Sequence, residues 1–144
     1  MIENEKTHSA KYQVLYNRLT NGTPFTTDTA QARITALADA LDCGVCWDFG
    51  HAHITGADSP GVSLAAVGRR LALVHIHDND GMTDSHALPG EGSIDWDAAV
   101  AGLRAVGYTG CMDMELKSSD LPDDRQLRAL HAAQALAAAR RLCR

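Results

Sequence analysis

The sequence predicts an α/β fold built on a parallel sheet. Three short apolar runs, over residues 43–49, 71–77 and 111–116, have the length and composition of buried strands. Segments with helical spacing of apolar residues separate these runs, so helices and strands alternate along the chain. Because the 144 residues are 45% hydrophobic and 22% charged, one globular domain over residues 1–144 is expected.

The helices are predicted from apolar periodicity and end signals. A helix over about 29–41 follows capping residues at 27–29, and its apolar face comprises Ile34, Leu37, Ala38 and Leu41. Further helices are expected over 62–70 and over 96–106, where Gly107 ends the second. A long alanine-rich helix is expected over 121–144, with three leucines facing inward: Leu127, Leu130 and Leu136.

The charge and hydropathy pattern argues against several classes of protein. A formal net charge of -5 argues against a nucleic-acid partner, because phosphate binding requires clustered Lys and Arg. No apolar run approaches the roughly 20 residues that span a bilayer, so no membrane partner is expected. The segment from Met1 to Lys6 contains no hydrophobic signal core. A cytoplasmic location is therefore the default expectation.

Two of the four cysteines, Cys43 and Cys46, have CxxC spacing. A structural zinc site normally needs a second pair of cysteines, or histidine partners at short spacing, and Cys111 and Cys143 do not form such a pair. A redox pair would begin a helix, where the thiol pKa is lowered, whereas this pair leads into an apolar strand. We therefore expect buried cysteines without redox or zinc chemistry, and no disulfides.

Each predicted strand ends in residues that can bind a metal. Asp48 and His51 end the first, His75 and His77 the second, and Glu115 the third. Singly, Asp48 could cap a turn, Glu115 could be a surface carboxylate and His75 a hydrogen-bonded core histidine. In α/β folds, however, sites form at the carboxyl ends of several strands. The pattern therefore favours a carboxylate–histidine site for Mn, Mg, Co or Zn.

A polar loop follows the second strand. It contains Asp84 and His86, and then Gly90 and Gly92, which permit a tight turn close to a ligand. A plain surface loop is the alternative, but a loop of about 16 residues in a compact domain is usually functional.

Together these motifs resemble the sugar phosphate isomerase/epimerase family, the xylose isomerase-like TIM barrel group that also contains AP endonuclease family 2. The resemblance runs in order from about residue 1 to 116, through Asp48-Phe-Gly-His51, His75-Ile-His-Asp78-Asn79, the loop from Asp84 to Trp96, Gly107-Tyr-Thr-Gly110 and Met114-Glu115. It implies a (β/α)8 barrel with divalent metal at its C-terminal face. Because such a barrel needs about 250 residues, we expect its C-terminal half, with about four parallel strands.

The resemblance also implies a ligand set. Asp48, His75 and Glu115 would bind the metal, with His77 as the competing histidine. Glu3 would be the fourth ligand, because the segment Met1-Ile-Glu-Asn4 matches the family's context for that residue at an earlier strand end.

The resemblance further implies that a second set of residues faces a further metal or the substrate. His51 resembles a histidine on the substrate side or at a second metal. Asp84 and His86 resemble an Asp-x-His pair that binds an additional zinc in the endonuclease branch, and His77 is a further candidate.

The implied activity is divalent-metal-dependent isomerisation or epimerisation of a sugar, sugar phosphate or cyclitol, through an enediolate. Glu3 and Glu115 would be the acid/base pair, and His51 would orient or protonate a substrate oxygen. The alternatives are a phosphodiesterase of the endonuclease type and a non-catalytic half-barrel. The expected partners are a small polyhydroxy substrate and either a second copy of the chain or a missing N-terminal half.

Overall fold

The structure, a computed structural model, describes residues 27–57, 59–117 and 123–143. Its elements are α1 (Thr27–Leu41), β1 (Val45–Asp48), α2 (Phe49–Ile54), α3 (Pro60–Val67), β2 (Leu71–Ile76), α4 (Trp96–Ala105), β3 (Met112–Met114) and α5 (Arg125–Leu142). A short 3₁₀ helix over Gly68–Arg70 joins α3 to β2. The additional strand expected at Ile2 and Glu3 lies outside the described residues.

The three strands form one sheet in the order β1-β2-β3, and both pairs are parallel. The register places Asp48 beside His75, and His75 beside Asp113. The carboxyl ends of the strands therefore meet at one edge, and the predicted α/β architecture with a parallel sheet is confirmed.

The hydrophobic core lies between the sheet and the helices that cover one of its faces. Val74 and Ile76 of β2 are fully buried there against Leu64 of α3 and Ala99 of α4. The ring of Phe49 packs edge-on against that of Trp96, with ring centroids 5.8 Å apart. Burying such side chains is what holds the helices on the sheet.

The outer helices bury less than their sequences predict. In α5, Leu127, Leu130 and Leu136 are 45%, 56% and 51% exposed, so the prediction that they face inward was wrong. The reason is that α5 meets the core only near its C-terminal end, at Ala138 and Leu142. In α1, Ala38 is buried as predicted, whereas Ile34 and Leu41 are exposed. None of the described helices has both the length and the apolar character needed to cross a membrane.

Cys43 and Cys46 are exposed, so the prediction that this pair is buried was wrong. Val45 is buried against the helices, so Cys46 points to the opposite face of the sheet, which no described element covers. Partial desolvation and the neighbouring Asp48 carboxylate raise the pKa of the Cys46 thiol. A reactive thiol needs a lowered pKa, so this environment does not favour redox chemistry at Cys46.

Candidate metal centre

Two groups of side chains with metal-binding atoms lie at the carboxyl ends of the strands. The first group comprises Asp48, His75 and Glu115. The second group comprises His51, His77, Asp84 and His86. Within each group, one ligand atom per residue lies within 4.8 Å of the others. The structure thus gathers the predicted site residues, apart from Glu3, which lies outside the described residues.

The first group draws one residue from each strand end. His75 Nδ1 lies 3.3 Å from Glu115 Oε2 and 3.6 Å from Asp48 Oδ2. The parallel register produces this arrangement, because Asp48 pairs with His75 across the sheet. Of the two competing histidines, His75 is the one that lies in this group.

Asp48 connects the two groups. Its Oδ1 accepts a hydrogen bond from the backbone N–H of His51 at 2.8 Å and so caps α2. This cap ends β1 at Asp48 and starts a helix at Phe49, which the sequence assigned to the strand. Its Oδ2 lies 3.2 Å from His51 Nδ1, and Oδ1 lies 3.0 Å from His77 Nε2. The sequence left open whether Asp48 caps a turn or binds a metal. In the structure it caps α2 and also lies among potential metal ligands.

In the second group, Asp84 Oδ2 lies 3.4 Å from His51 Nε2 and 3.2 Å from His86 Nε2. His86 Nδ1 donates to the backbone carbonyl of Glu115 at 2.9 Å, because a carbonyl can only accept. His86 Nε2 then needs either a proton or a cation to lie against the carboxylate. Burial lowers the pKa of His86, but its hydrogen bond to the Glu115 carbonyl and the Asp84 carboxylate outweigh burial and raise it.

His77 is fully buried, and neither ring nitrogen makes a hydrogen bond to any described residue. The 3.0 Å contact from Nε2 to Asp48 lacks hydrogen-bond geometry. The ring stacks on that of His86, with centroids 4.0 Å apart. Burial lowers the pKa of His77, although the Asp48 carboxylate opposes this. A neutral, unpaired, buried imidazole is costly unless something binds it, and it is the form that coordinates a metal.

The backbone conformation at two positions makes room for the rings of His77 and His86. A Cβ at Gly50 would collide with the ring of His77, so only glycine fits at this position in the tight turn after β1. His86 has a φ of 48°, in the left-handed region that non-glycine residues seldom adopt.

Asp78 and Asn79 were not predicted as site residues, although both belong to the motif His75-Ile-His-Asp78-Asn79. Both side chains are buried where β2 leads into the loop that carries Asp84 and His86. The available signal was a carboxylate and an amide directly after a buried strand, where unpaired polar groups are costly.

Comparison with known proteins gives a family match along most of the chain. A model of the family described as xylose isomerase-like TIM barrel matches residues 5–141. Among solved structures, a D-tagatose 3-epimerase-like protein is 24% identical with a TM-score of 0.50, over 69% of this chain and 35% of its own. The IOLI protein with a bound zinc atom is 23% identical with a TM-score of 0.54, over 77% of this chain and 41% of its own. At these identities the two structures show the fold.

Two relatives are more similar in sequence over shorter segments. The uncharacterized protein y4fM of Sinorhizobium fredii is 40% identical over 72 residues, which are 50% of this chain and 23% of that protein. The uncharacterized protein MJ1311 of Methanocaldococcus jannaschii is 35% identical over 81 residues, which are 56% of this chain and 28% of that protein. In each of these four comparisons the chain spans less than half of the other protein.

Proposed function

This chain belongs to the xylose isomerase-like TIM barrel family, with the fold of a partial α/β barrel, and on that premise we propose that it forms part of a divalent-metal-dependent isomerase or epimerase. The substrate class would be a sugar, sugar phosphate or cyclitol. The observation that carries the proposal is the first group, in which Asp48, His75 and Glu115 converge from three strand ends. The epimerase-like and zinc-containing structures of the same fold support it.

The residues present fit a divalent cation. Two carboxylates and one imidazole suit Mn, Mg, Co or Zn, and the unpaired buried ring of His77 beside Asp48 supports a cation in this region. We propose Asp48, His75 and Glu115 as ligands, with Glu3 as the fourth. A cation bound there would polarise a substrate carbonyl and stabilise the negative charge that develops on its oxygen.

The protein's own side chains would handle the protons. Glu115 is partly exposed at the end of β3, where its carboxylate can remove a proton alpha to the substrate carbonyl, with Glu3 as the opposing acid/base. His51 is partly exposed beside Asp48 and Asp84, where it can orient or protonate a substrate oxygen. The product of the proton removal would be an enediolate.

The second group would hold a further cation or contact the substrate. Its members are His51, His77, Asp84 and His86. His86 Nε2 lies 3.2 Å from Asp84 Oδ2, and a second cation would supply the positive charge that stabilises this contact.

Replacing Glu115 by Gln tests the assignment, because the amide keeps the size of the side chain and removes its charge. The chain would be loaded with Mn²⁺ or Zn²⁺, and its bound metal and its exchange of solvent deuterium into D-tagatose would be measured. We expect less bound metal and no exchange. Asp113→Asn changes an exposed carboxylate within β3, two residues before Glu115; it is the matched control and should keep both. Unchanged metal content and exchange in the Glu115 variant would refute the assignment.

A metal-dependent phosphodiesterase of the endonuclease type is the second candidate, and the Asp84–His86 pair favours it. The net charge of -5 opposes it, because DNA binding requires positive charge. A nicking assay on abasic DNA separates the two: nicking by the metal-loaded protein would favour the endonuclease, and its absence alongside deuterium exchange would favour the isomerase.

Completion of the barrel is a further part of the proposal. Among the described strands, β1 and β3 are the outer strands of the sheet, and open edges tend to pair with another chain. We propose that an N-terminal half-barrel or a second copy of the chain pairs there. Sedimentation with metal analysis tests this, since a well-folded monomer with one tightly bound metal would contradict it. The expected cytoplasmic location and small polyhydroxy substrate likewise stand as proposals.

A further inference from the structure

We infer that Asp78 and Asn79 are positioning residues that assemble the second group. Asp78 anchors the loop that carries Asp84 and His86, and Asn79 joins this loop to the turn that carries His51. The inference rests on the proposed metal-binding function and adds to it two residues that bind neither metal nor substrate.

The Asp78 carboxylate gathers both ends of the loop onto the end of β2. Its Oδ2 accepts hydrogen bonds from the indole Nε1 of Trp96 and the backbone N of Gly90, both at 2.8 Å. Its Oδ1 accepts from the backbone N of Asn79 at 2.9 Å and of Ile94 at 3.2 Å. Each oxygen thus accepts from two N–H donors, which uses its two lone pairs. Asp78 therefore has no lone pair left for a cation, and its contacts are those of an anchor.

The backbone of Asp78 binds the middle of the same loop. Its N–H donates to the carbonyl of Ala87 at 2.8 Å, and the N–H of Ala87 donates back to its carbonyl at 2.9 Å. The hydroxyl of Ser85 donates to that carbonyl at 3.3 Å. These bonds hold the residues on both sides of His86, and they bring its ring onto that of His77.

Asn79 links the loop to the other half of the second group. Its Nδ2 donates to the carbonyl of Gly50 at 2.9 Å, directly before His51. Its Oδ1 accepts from the N–H of Gly81 at 2.9 Å, and its own carbonyl accepts from the N–H of Ser93 at 2.8 Å. Two adjacent buried residues thus connect the segments that carry the ligand atoms of the second group.

Asp78→Asn is the primary test. The amide must place its NH₂ at one of the two oxygen positions, where it would face two N–H donors instead of accepting from them. We expect faster amide hydrogen exchange in residues 80–95 and Co²⁺ binding to the second group weakened by about 10–100-fold. Binding to the first group should be retained. Visible absorption during a Co²⁺ titration of the 144-residue protein resolves the two steps.

Two further variants keep the test decisive. Trp96→Phe removes one donor and keeps an aromatic ring, so it should show the same effects at smaller size even if Asp78→Asn fails to fold. Asp80→Asn is the matched control, because Asp80 Oδ1 accepts from the backbone N–H groups of Met82 and Thr83, which both lie within the loop. It should leave Co²⁺ binding at the wild-type level.

The outcomes separate this inference from the proposed function. Unchanged second-step Co²⁺ affinity in a folded Asp78→Asn protein, or in Trp96→Phe, would overturn the positioning role. Equal weakening of both steps would also overturn it, because that result indicates general destabilisation. If the wild-type protein binds no Co²⁺, the proposed function fails. In that case, amide hydrogen exchange of residues 80–95 tests the anchoring role of Asp78 by itself. An exchange rate in the variants equal to that of the wild type would overturn this role.

Discussion

Gly50→Ala is the change whose effect follows most directly from the structure. The added methyl group would overlap the imidazole ring of His77. To reach ordinary van der Waals contact, the ring would have to retreat by about 1 Å or more. It cannot do so freely, because it is fully buried and stacks on the ring of His86.

Overpacking of a well-packed site costs about 1–3 kcal/mol of unfolding free energy. We expect Gly50→Ala to lose this amount. Displacement of the His77 ring should also weaken cation binding at the second group by about 10–100-fold, comparable to the loss of a supporting residue around a metal.

Urea unfolding measures the first effect, and a Co²⁺ titration measures the second. Gly61→Ala is the matched control, because a Cβ there has open space around it in α3. Its stability should be unchanged or higher by up to about 1 kcal/mol, since Ala is the better helix former. Wild-type stability together with wild-type Co²⁺ affinity in Gly50→Ala would refute the reasoning.

Three further predictions concern stability. Leu64→Ala, in the core, should cost about 2–5 kcal/mol in urea unfolding, whereas exposed Val62→Ala should stay within about 0.5 kcal/mol; equal losses would contradict the packing. Burial raises the pKa of Asp78, but hydrogen bonds from Trp96 and the loop backbone outweigh it and lower the pKa. The contribution of the ionised Asp78 carboxylate to the stability of the fold is therefore complete above about pH 4, and it is lost as the pH falls through the lowered pKa. Trp96→Phe should reduce this acid-dependent loss of stability, measured by circular dichroism during acid titration. An acid profile identical to that of the wild type would argue against the role of the Trp96 hydrogen bond. Asp95→Ala removes the N-cap of α4 and should cost about 1 kcal/mol by thermal unfolding; no change would show that the cap is dispensable.

The sequence predicts the parallel sheet from local patterns, and the same patterns place metal-binding side chains at the strand ends, whereas the choice of Asp48, His75 and Glu115 among them came from the family resemblance. Apolar runs locate the strands, and the register of neighbouring parallel strands brings Asp48, His75 and Glu115 together. The strand ends were less certain. Phe49 continues the apolar run, but the hydrogen bond that Asp48 accepts at the start of α2 ends the strand one residue earlier.

The side of an element that is buried depends on what covers it, which a single sequence does not specify. Leu127 and Cys46 have apolar or small side chains typical of interiors, yet both are exposed because no described element lies over them. The role of Asp78 was invisible for a related reason. Its partners Gly90 and Trp96 lie 12 and 18 residues away, and hydrogen bonds over such separations leave no periodic signal.

The hydrogen bond from Trp96 to Asp78 also makes the loop visible to spectroscopy. The chain has two tryptophans, and the indole N–H of Trp96 is bonded to the carboxylate that anchors the loop. The indole N–H of Trp47 makes no hydrogen bond to a described residue. In a Trp47→Phe background, a shift in emission would therefore report detachment of Asp78 from the indole. The protein thus carries an intrinsic optical reporter of loop detachment, which requires no attached dye and no substrate.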